Sequence, residues 1–251
     1  PSIKGIWCVP QYSNPGGVTY SDEVVRRLAA LKPAAPDFRI FWDNAYCVHD
    51  IYPEQKERVL DILSECKKAG NPNMVYLFGS TSKITFPGSG VGAMGASAEN
   101  IRFIKSQMTV PVISWNKVNM LMHVRFFKDK AGIDAHMLRH AASVRPKFEA
   151  VENTLTRELE GKGIAQWSHP KGGYFVSVDL MDGCAKRTYT LCKEAGVALT
   201  DVGATYPYFN DPRDRNLRLA PTYPTLENLQ AALDIFCVAA RLACLEKLMA
   251  Q

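Results

Sequence analysis

The chain has 251 residues, 47% of them hydrophobic, and a formal net charge of +5. A chain of this length can bury a substantial core, organised in about two units. The 30 basic residues are spread along the sequence, and the densest arginine cluster alternates with Asp211 and Asp214. This spacing does not produce a basic surface that follows phosphates, so we expect no nucleic-acid partner. No apolar run approaches about 20 residues, so we expect no membrane span.

The cysteines indicate the redox compartment. There are seven, scattered and without a Cys-x-x-Cys pair, and the histidines form no cluster. An odd, dispersed set of this kind is typical of reduced thiols, and we expect neither disulfides nor a metal site. No cleavable N-terminal signal is visible. A cytoplasmic location is predicted.

Three apolar runs in the first third of the chain predict buried strands: residues 3–10, 38–42 and 74–78. Polar residues follow each run, and they include Asn14, Asp43 and Lys83 in turn. Ligands of open α/β sheets bind beyond the carboxyl ends of the strands. If the three strands lie in one parallel sheet, these three side chains are expected to converge at one edge.

Lys83 is the most informative of these residues, since hydroxyl side chains flank it and a glycine-rich segment follows it. A lysine amine at such a position can form a Schiff base with an aldehyde cofactor, of which pyridoxal phosphate (PLP) is the commonest. PLP also needs an acid for its ring nitrogen, for which Asp43 is suitable, and donors for its phenolic oxygen, for which Asn14 and Tyr46 are suitable. Taken singly, each residue has an ordinary structural explanation: a solvated loop lysine, a helix cap, a turn former and a core aromatic.

The remaining elements complete an α/β pattern. Apolar spacing of three and four predicts a helix near residues 59–66 and one long helix from about 134 to 160, which Pro146 should kink or split. A smaller α/β unit is predicted after it: strand 174–180, helix 185–195, strand 216–221 and helix 226–249. Thr225 is the predicted N-cap of the last helix.

Four motifs, in this order, resemble the signatures of fold-type I PLP-dependent aminotransferases: Asn14-Pro15-Gly16-Gly17, Asp43-Asn44-Ala45-Tyr46, Ser80-Thr81-Ser82-Lys83 and Asn216-Leu217-Arg218-Leu219-Ala220. The chain is most similar to the aspartate aminotransferase branch related to the effector domains of MocR-type regulators. The resemblance implies an α/β fold. Residues 1–133 would be part of the large cofactor domain, a mainly parallel sheet flanked by helices. Residues 134–251 would be an interdomain helix and a small C-terminal α/β domain.

The resemblance also implies roles at the cofactor. Lys83 would be the Schiff-base lysine and the proton carrier. Asp43 would pair with the pyridine nitrogen, and Asn14 and Tyr46 would bond the phenolic oxygen.

Further roles concern the phosphate and the substrate. Ser80 would contact the phosphate, with Ser82 as a second candidate, and Arg218 would bind the substrate α-carboxylate through its planar fork. Family members carry an arginine for the phosphate where this sequence has Gly90. The phosphate would then depend on hydroxyls and backbone N–H groups.

The resemblance implies a homodimeric aminotransferase for an α-amino acid, with aspartate or glutamate favoured, and a 2-oxo acid. It also implies a subunit that is considerably longer at its N-terminus, so the chain is expected to be a C-terminal portion that is not a competent enzyme alone. Two alternatives stay open: an amino-acid-sensing effector domain of a transcription regulator, and another PLP reaction on the same scaffold, such as β-elimination or transamination of aromatic amino acids or kynurenine.

Overall fold

The computed structural model describes residues 2–85 and 87–250. The chain divides into two compact units. The first unit comprises Pro1–Gln11, Thr19–Asp50 and Lys56–Arg139, and the second comprises Tyr12–Val18, Ile51–Gln55 and His140–Gln251. The second unit thus includes two short segments from the first third of the chain, one of which contains Asn14.

A four-stranded sheet forms the centre of the first unit. Its strands, in spatial order, are β1 (Gly5–Cys8), β2 (Arg39–Asp43), β3 (Val75–Ser80) and β4 (Gly92–Ala96). The first three are parallel, as the sequence predicts, so their carboxyl ends meet at one edge. β4 runs antiparallel to β3 and is not predicted from the sequence.

Helices cover one face of this sheet. The helices that begin in the first unit are α1 (Asp22–Ala29), α2 (Ile62–Lys68), α3 (Ala98–Met108), α4 (Lys117–Phe127) and α5 (Lys130–Leu159). Val25 of α1 and Ile62 of α2 pack against Ile40, Trp42 and Val75, all of them buried. Because side chains alternate along a strand, Phe41 and Asp43 face the other side of the sheet.

The second unit contains an antiparallel sheet, β5 (Ala165–Trp167), β6 (Val176–Leu180) and β7 (Asn216–Leu219), with α6 (Ala185–Glu194) and α7 (Leu226–Met249). Thr225 caps α7 as predicted, since its side chain accepts the N–H of Asn228. By length and composition alone, α7 could span a membrane. A core helix passes the same test, and α7 buries Leu229, Leu233 and Phe236 in the core of this unit.

α5 corrects one expectation. Of the two outcomes expected at Pro146, a kink or a split, the split does not occur, because the helix runs through Pro146 as a single element of 30 residues. A proline removes one backbone hydrogen bond and crowds the preceding turn. On either side of Pro146, Val144, Phe148 and Val151 are buried in the core of the second unit. Burial of this apolar stripe offsets the local cost.

Candidate active site

Lys83 lies just beyond the carboxyl end of β3, in a segment that we call the lysine turn, residues 81–85. The turn closes on the carbonyl oxygen of Thr81, which accepts the N–H groups of Ile84 and Thr85 at 2.9 Å. The side chain of Lys83 is exposed. The turn therefore presents an amine at the sheet edge where ligands of open α/β sheets bind.

Asp43 is the last residue of the neighbouring strand, β2. It shares a sheet face with Phe41, opposite the helix-covered core. The indole Nε1 of Trp7, on β1, donates a hydrogen bond of 3.3 Å to Asp43 Oδ2. The carboxylate is thus held at Oδ2, and among the described residues no side-chain hydrogen bond is made to Oδ1, which could accept from a ligand.

An aromatic layer surrounds this carboxylate on the sheet face. The rings of Trp7 and Phe41 are stacked with centroids 5.4 Å apart, and Phe78 stacks on both at 6.1 and 6.3 Å. Trp7 is 63% exposed. Asp43 therefore stands beside a flat aromatic surface formed by three stacked rings.

Tyr46 and Lys83 are linked through a third residue, His49. The ring of Tyr46 is buried and meets the His49 ring edge-on, with centroids 5.7 Å apart. His49 Nε2 lies 2.9 Å from the carbonyl oxygen of Lys83. The segment after β2 is therefore tied to the lysine turn after β3.

Ser80 and Ser82 lie side by side. The Ser80 hydroxyl donates to Ser82 Oγ at 2.7 Å, and the Ser82 N–H donates to Ser80 Oγ at 3.0 Å. A Cβ at position 90 would overlap Ser82 Oγ and would lie 3.1 Å from Ser82 Cα. Any side chain there requires Ser82 to move. This contact is a physical reason for Gly90 where the family pattern has an arginine.

In the second unit, Arg218 and Asn14 are brought together. Arg218 Nη1 donates to Asn14 Oδ1 at 2.7 Å and Nη2 donates to Thr200 Oγ1 at 3.4 Å. The guanidinium carbon lies 4.4 Å from the centre of the Phe175 ring. Among the described residues, no carboxylate pairs with Arg218, and its buried Nε has no hydrogen-bond partner. The guanidinium is therefore oriented but not neutralised.

The two carboxylates that could have given Arg218 a purely structural role are engaged elsewhere. Asp211 accepts the backbone N–H groups of Arg213, Arg215 and Asn216 at 2.7–3.0 Å. Asp201 accepts the Tyr189 hydroxyl at 2.8 Å. Neither removes the positive charge of Arg218.

Two glycines allow the Asn14 loop to pack closely within the second unit. Gly17 has a φ of +66°, and a Cβ there would lie 2.6 Å from Pro170 Cβ. Gly173 has a φ of +82°, and a Cβ there would lie 2.9 Å from Tyr12 Cβ. Glycine has no Cβ, so it can adopt a left-handed backbone and leave room for a close neighbour. Both positions help to place Asn14 beside Arg218.

A comparison with protein families decides the identity of the chain. The family model for aspartate amino-transferases matches residues 1–251. The chain belongs to this family.

Relatives within the family agree. An aspartate aminotransferase of Corynebacterium glutamicum is 47% identical over 246 residues, covering 98% of this chain and 57% of that relative. The crystal structure of an aspartate transaminase from the same species superposes with a TM-score of 0.96 at 46% identity, over 98% of this chain and 58% of that one. The chain thus spans less than two thirds of the length of these relatives.

The fold is that of the fold-type I aminotransferases. A more distant member of the fold is an α-aminoadipate aminotransferase from Thermus thermophilus, complexed with N-(5'-phosphopyridoxyl)-L-leucine. It has a TM-score of 0.77 at 22% identity, over 95% of this chain and 59% of that one.

The residues of the first unit fit PLP chemically. The amine of Lys83 suits the aldehyde, and the carboxylate of Asp43 suits the pyridine nitrogen. The paired hydroxyls of Ser80 and Ser82 suit a phosphate. In the second unit, Asn14 uses Oδ1 to accept from Arg218. Its amide N–H groups therefore remain as donors, which is what a phenolic oxygen requires.

Sequence reasoning missed four residues that support the site: Trp7, His49, Thr200 and Phe175. Trp7 could have been found from strand periodicity, since it lies opposite Phe41 in the parallel register of β1 and β2. His49 follows Tyr46 by three residues, a spacing that brings side chains together in a turn. The contacts of Phe175 and Thr200 with Arg218 join distant segments and leave no local signal.

Proposed function

We propose that the protein is a PLP-dependent aminotransferase that transfers the amino group of an α-amino acid to a 2-oxo acid. The observation that carries this proposal is that Asp43 ends β2 and that Lys83 lies three residues beyond the end of β3, the neighbouring parallel strand. A carboxylate and an amine in this relation match the two groups that PLP chemistry requires. Membership of the aspartate amino-transferase family supports the same conclusion.

When bound, PLP supplies an aldehyde carbon and a ring that accepts electrons. Lys83 would hold the cofactor through its Nζ and, once released, would move a proton at the substrate α-carbon. Asp43 would keep the ring nitrogen protonated with the oxygen that Trp7 does not occupy. Asn14 and Tyr46 would bond the phenolic oxygen, and the hydroxyls of Ser80 and Ser82 would bind the phosphate.

Arg218 would bind the substrate α-carboxylate. Its guanidinium is oriented by Asn14 and by the Phe175 ring, and no described carboxylate competes for it. A planar fork of donors matches a carboxylate in two parallel hydrogen bonds. Such a pair fixes the direction of the α-carbon as well as its distance.

Aspartate and glutamate are the favoured substrates, since the relative at 47% identity is named an aspartate aminotransferase. A homodimer in the cytoplasm, with no nucleic-acid or membrane partner, belongs to the same proposal.

A substrate panel tests this function. The purified full-length protein, loaded with PLP, should convert aspartate in the presence of 2-oxoglutarate to oxaloacetate and glutamate, and Lys83→Ala should not. Turnover of kynurenine or aromatic amino acids without turnover of aspartate or glutamate would overturn the substrate assignment. Amino-acid binding without any turnover would favour the sensing domain and overturn the enzyme assignment.

A further inference from the structure

The lysine turn is contacted by three histidines that come from three different elements of the first unit. His49 follows β2, His123 lies on α4 and His136 lies on α5. Each ring bonds a different part of residues 81–85, and none of the roles proposed above uses them. Three histidines around one short turn are more than packing alone requires, because each ring brings a polar group that needs a partner.

His49 bonds the lysine residue itself. Its ring is 1% exposed, and Nε2 lies 2.9 Å from the carbonyl oxygen of Lys83. A carbonyl oxygen only accepts, so Nε2 carries the proton and donates it. The edge of the ring against Tyr46 prevents it from turning away.

His136 repeats the arrangement one residue later. Its Nε2 lies 2.8 Å from the carbonyl oxygen of Ile84 and must also donate. The ring meets Phe126 and Phe127 edge-on, with centroids 5.5 and 5.6 Å away. Two consecutive carbonyl groups of the turn are thus each bonded by an imidazole whose orientation is set by aromatic neighbours.

His123 bonds the two ends of the turn. Its Nδ1 lies 2.9 Å from the carbonyl oxygen of Asn119 and therefore donates. Its Nε2 is 2.9 Å from Thr81 Oγ1 and 3.3 Å from Thr85 Oγ1. The Thr81 hydroxyl already accepts the N–H of Val91 at 2.8 Å, so its own proton is available to Nε2. His123 therefore connects α4 to both ends of the lysine turn.

We propose that His49, His123 and His136 are positioning residues for Lys83: together they hold the backbone of the lysine turn so that the Lys83 amine leaves it in one direction. The inference rests on the proposed function, in which one amine must reach two different reacting atoms. Small displacements of such a group are costly, because proton transfer needs near-contact geometry. The backbone of the turn fixes where the Lys83 side chain begins, so a turn held in place restricts the directions that the amine can take.

Hydrogen exchange tests the proposal without the cofactor. The purified apo-protein and its variants His49→Leu and His49→Gln are compared by mass spectrometry of peptides that cover residues 81–85. Leucine removes the donor, whereas glutamine offers an amide N–H at similar reach. Loss of a buried hydrogen bond should accelerate exchange of the Ile84 and Thr85 amides about tenfold in the leucine variant, with most of the protection restored in the glutamine variant. His136→Leu and His136→Gln should behave in the same way.

His169→Leu is the matched control, since His169 is an exposed histidine of the second unit that pairs with Glu152. It should leave exchange of the lysine turn unchanged. A second readout follows Lys83 itself: the rate at which PLP with borohydride labels Nζ of Lys83, relative to Lys68, should fall at least about fivefold in His49→Leu. In the loaded protein, kcat should fall while KM for the amino acid stays within about twofold.

Unchanged exchange in both leucine variants would overturn the proposal, as would glutamine variants that exchange as fast as the leucine ones. A variant that loses its cooperative thermal unfolding is replaced by the corresponding His→Phe variant, which keeps a ring without a donor and carries the same expectation. Failure of the proposed function is recognised separately. If Lys83→Ala binds PLP and turns over substrate like the wild type, the function is wrong whatever the exchange data give.

Discussion

Arg218→Lys is the substitution that most directly separates substrate binding from structure in the second unit. Arg218 makes hydrogen bonds of 2.7 Å to Asn14 and 3.4 Å to Thr200, and its guanidinium lies 4.4 Å from the Phe175 ring centre. A lysine retains the charge but has no planar fork and does not stack in the same way. The lysine ammonium can bond either Asn14 or a substrate carboxylate, but it cannot bond both in the arrangement that the guanidinium allows.

The expected change in the amino-acid dissociation constant follows from the loss of the contact between Arg218 and the substrate carboxylate. A desolvated, charge-assisted pair with a carboxylate is worth roughly 2–4 kcal/mol, so the amino-acid dissociation constant should rise roughly 30- to 700-fold. Folding loses only the contact with Phe175 and part of the bond to Asn14, about 1 kcal/mol. A large effect on affinity with a small effect on stability is therefore expected.

The assay is a titration of the PLP-loaded protein with aspartate, followed by absorbance, together with thermal unfolding. PLP affinity should be unchanged. Arg213→Lys is the control, since Arg213 lies in the same unit and pairs with Asp182 at 2.9 Å on the surface. Arg213→Lys should change neither the aspartate affinity nor the melting temperature. A lower melting temperature with unchanged aspartate affinity in Arg218→Lys would refute the reasoning.

Three further predictions concern other parts of the site. Asp43→Asn should keep the fold but lower turnover at least about 100-fold, because a neutral ring nitrogen is a poor electron sink; a near-normal rate would exclude Asp43. Gly90→Arg should not improve PLP affinity alone, because position 90 touches Ser82, but it should do so together with Ser82→Gly, as measured by fluorescence titration. Burial raises the pKa of Asp211, but three backbone N–H donors outweigh it and leave the pKa below the usual value. The free energy of unfolding of the wild type should exceed that of Asp211→Ala by about 2 kcal/mol. This difference should be complete above about pH 5 and should be lost as pH falls through the lowered native pKa of Asp211. A stability difference that grows on acidification would contradict this.

Much of the fold could be predicted from local pattern. The strands β1 to β3, the helix α7 and its cap at Thr225 are found where apolar period and capping residues predict them. β4 was missed because its glycines give no apolar alternation, and it exists through its pairing with β3. Pro146 predicted a kink or a split in α5, and the split does not occur where the helix packs into the core.

Residues of the candidate site could be predicted from the sequence where they lie at, or just beyond, the carboxyl ends of strands. Asp43 and Lys83 are such cases, because parallel strands bring their carboxyl ends together. The contact of Asn14 with Arg218 joins residues 204 positions apart, and only the resemblance to a family suggested that both belong to one function. The role of His49 could not be predicted, since its bond to the backbone of Lys83 depends on the register of β2 and β3 and on no side-chain pattern.

The central claim is that Lys83 is the residue that holds PLP. The most direct test is to incubate the purified protein with PLP, reduce it with borohydride, digest it and locate the pyridoxyl group by mass spectrometry. We expect one stoichiometric modification, on Nζ of Lys83, and its loss when aspartate is added before reduction. Modification spread over surface lysines, or a stoichiometric label on a lysine other than Lys83, would contradict the account.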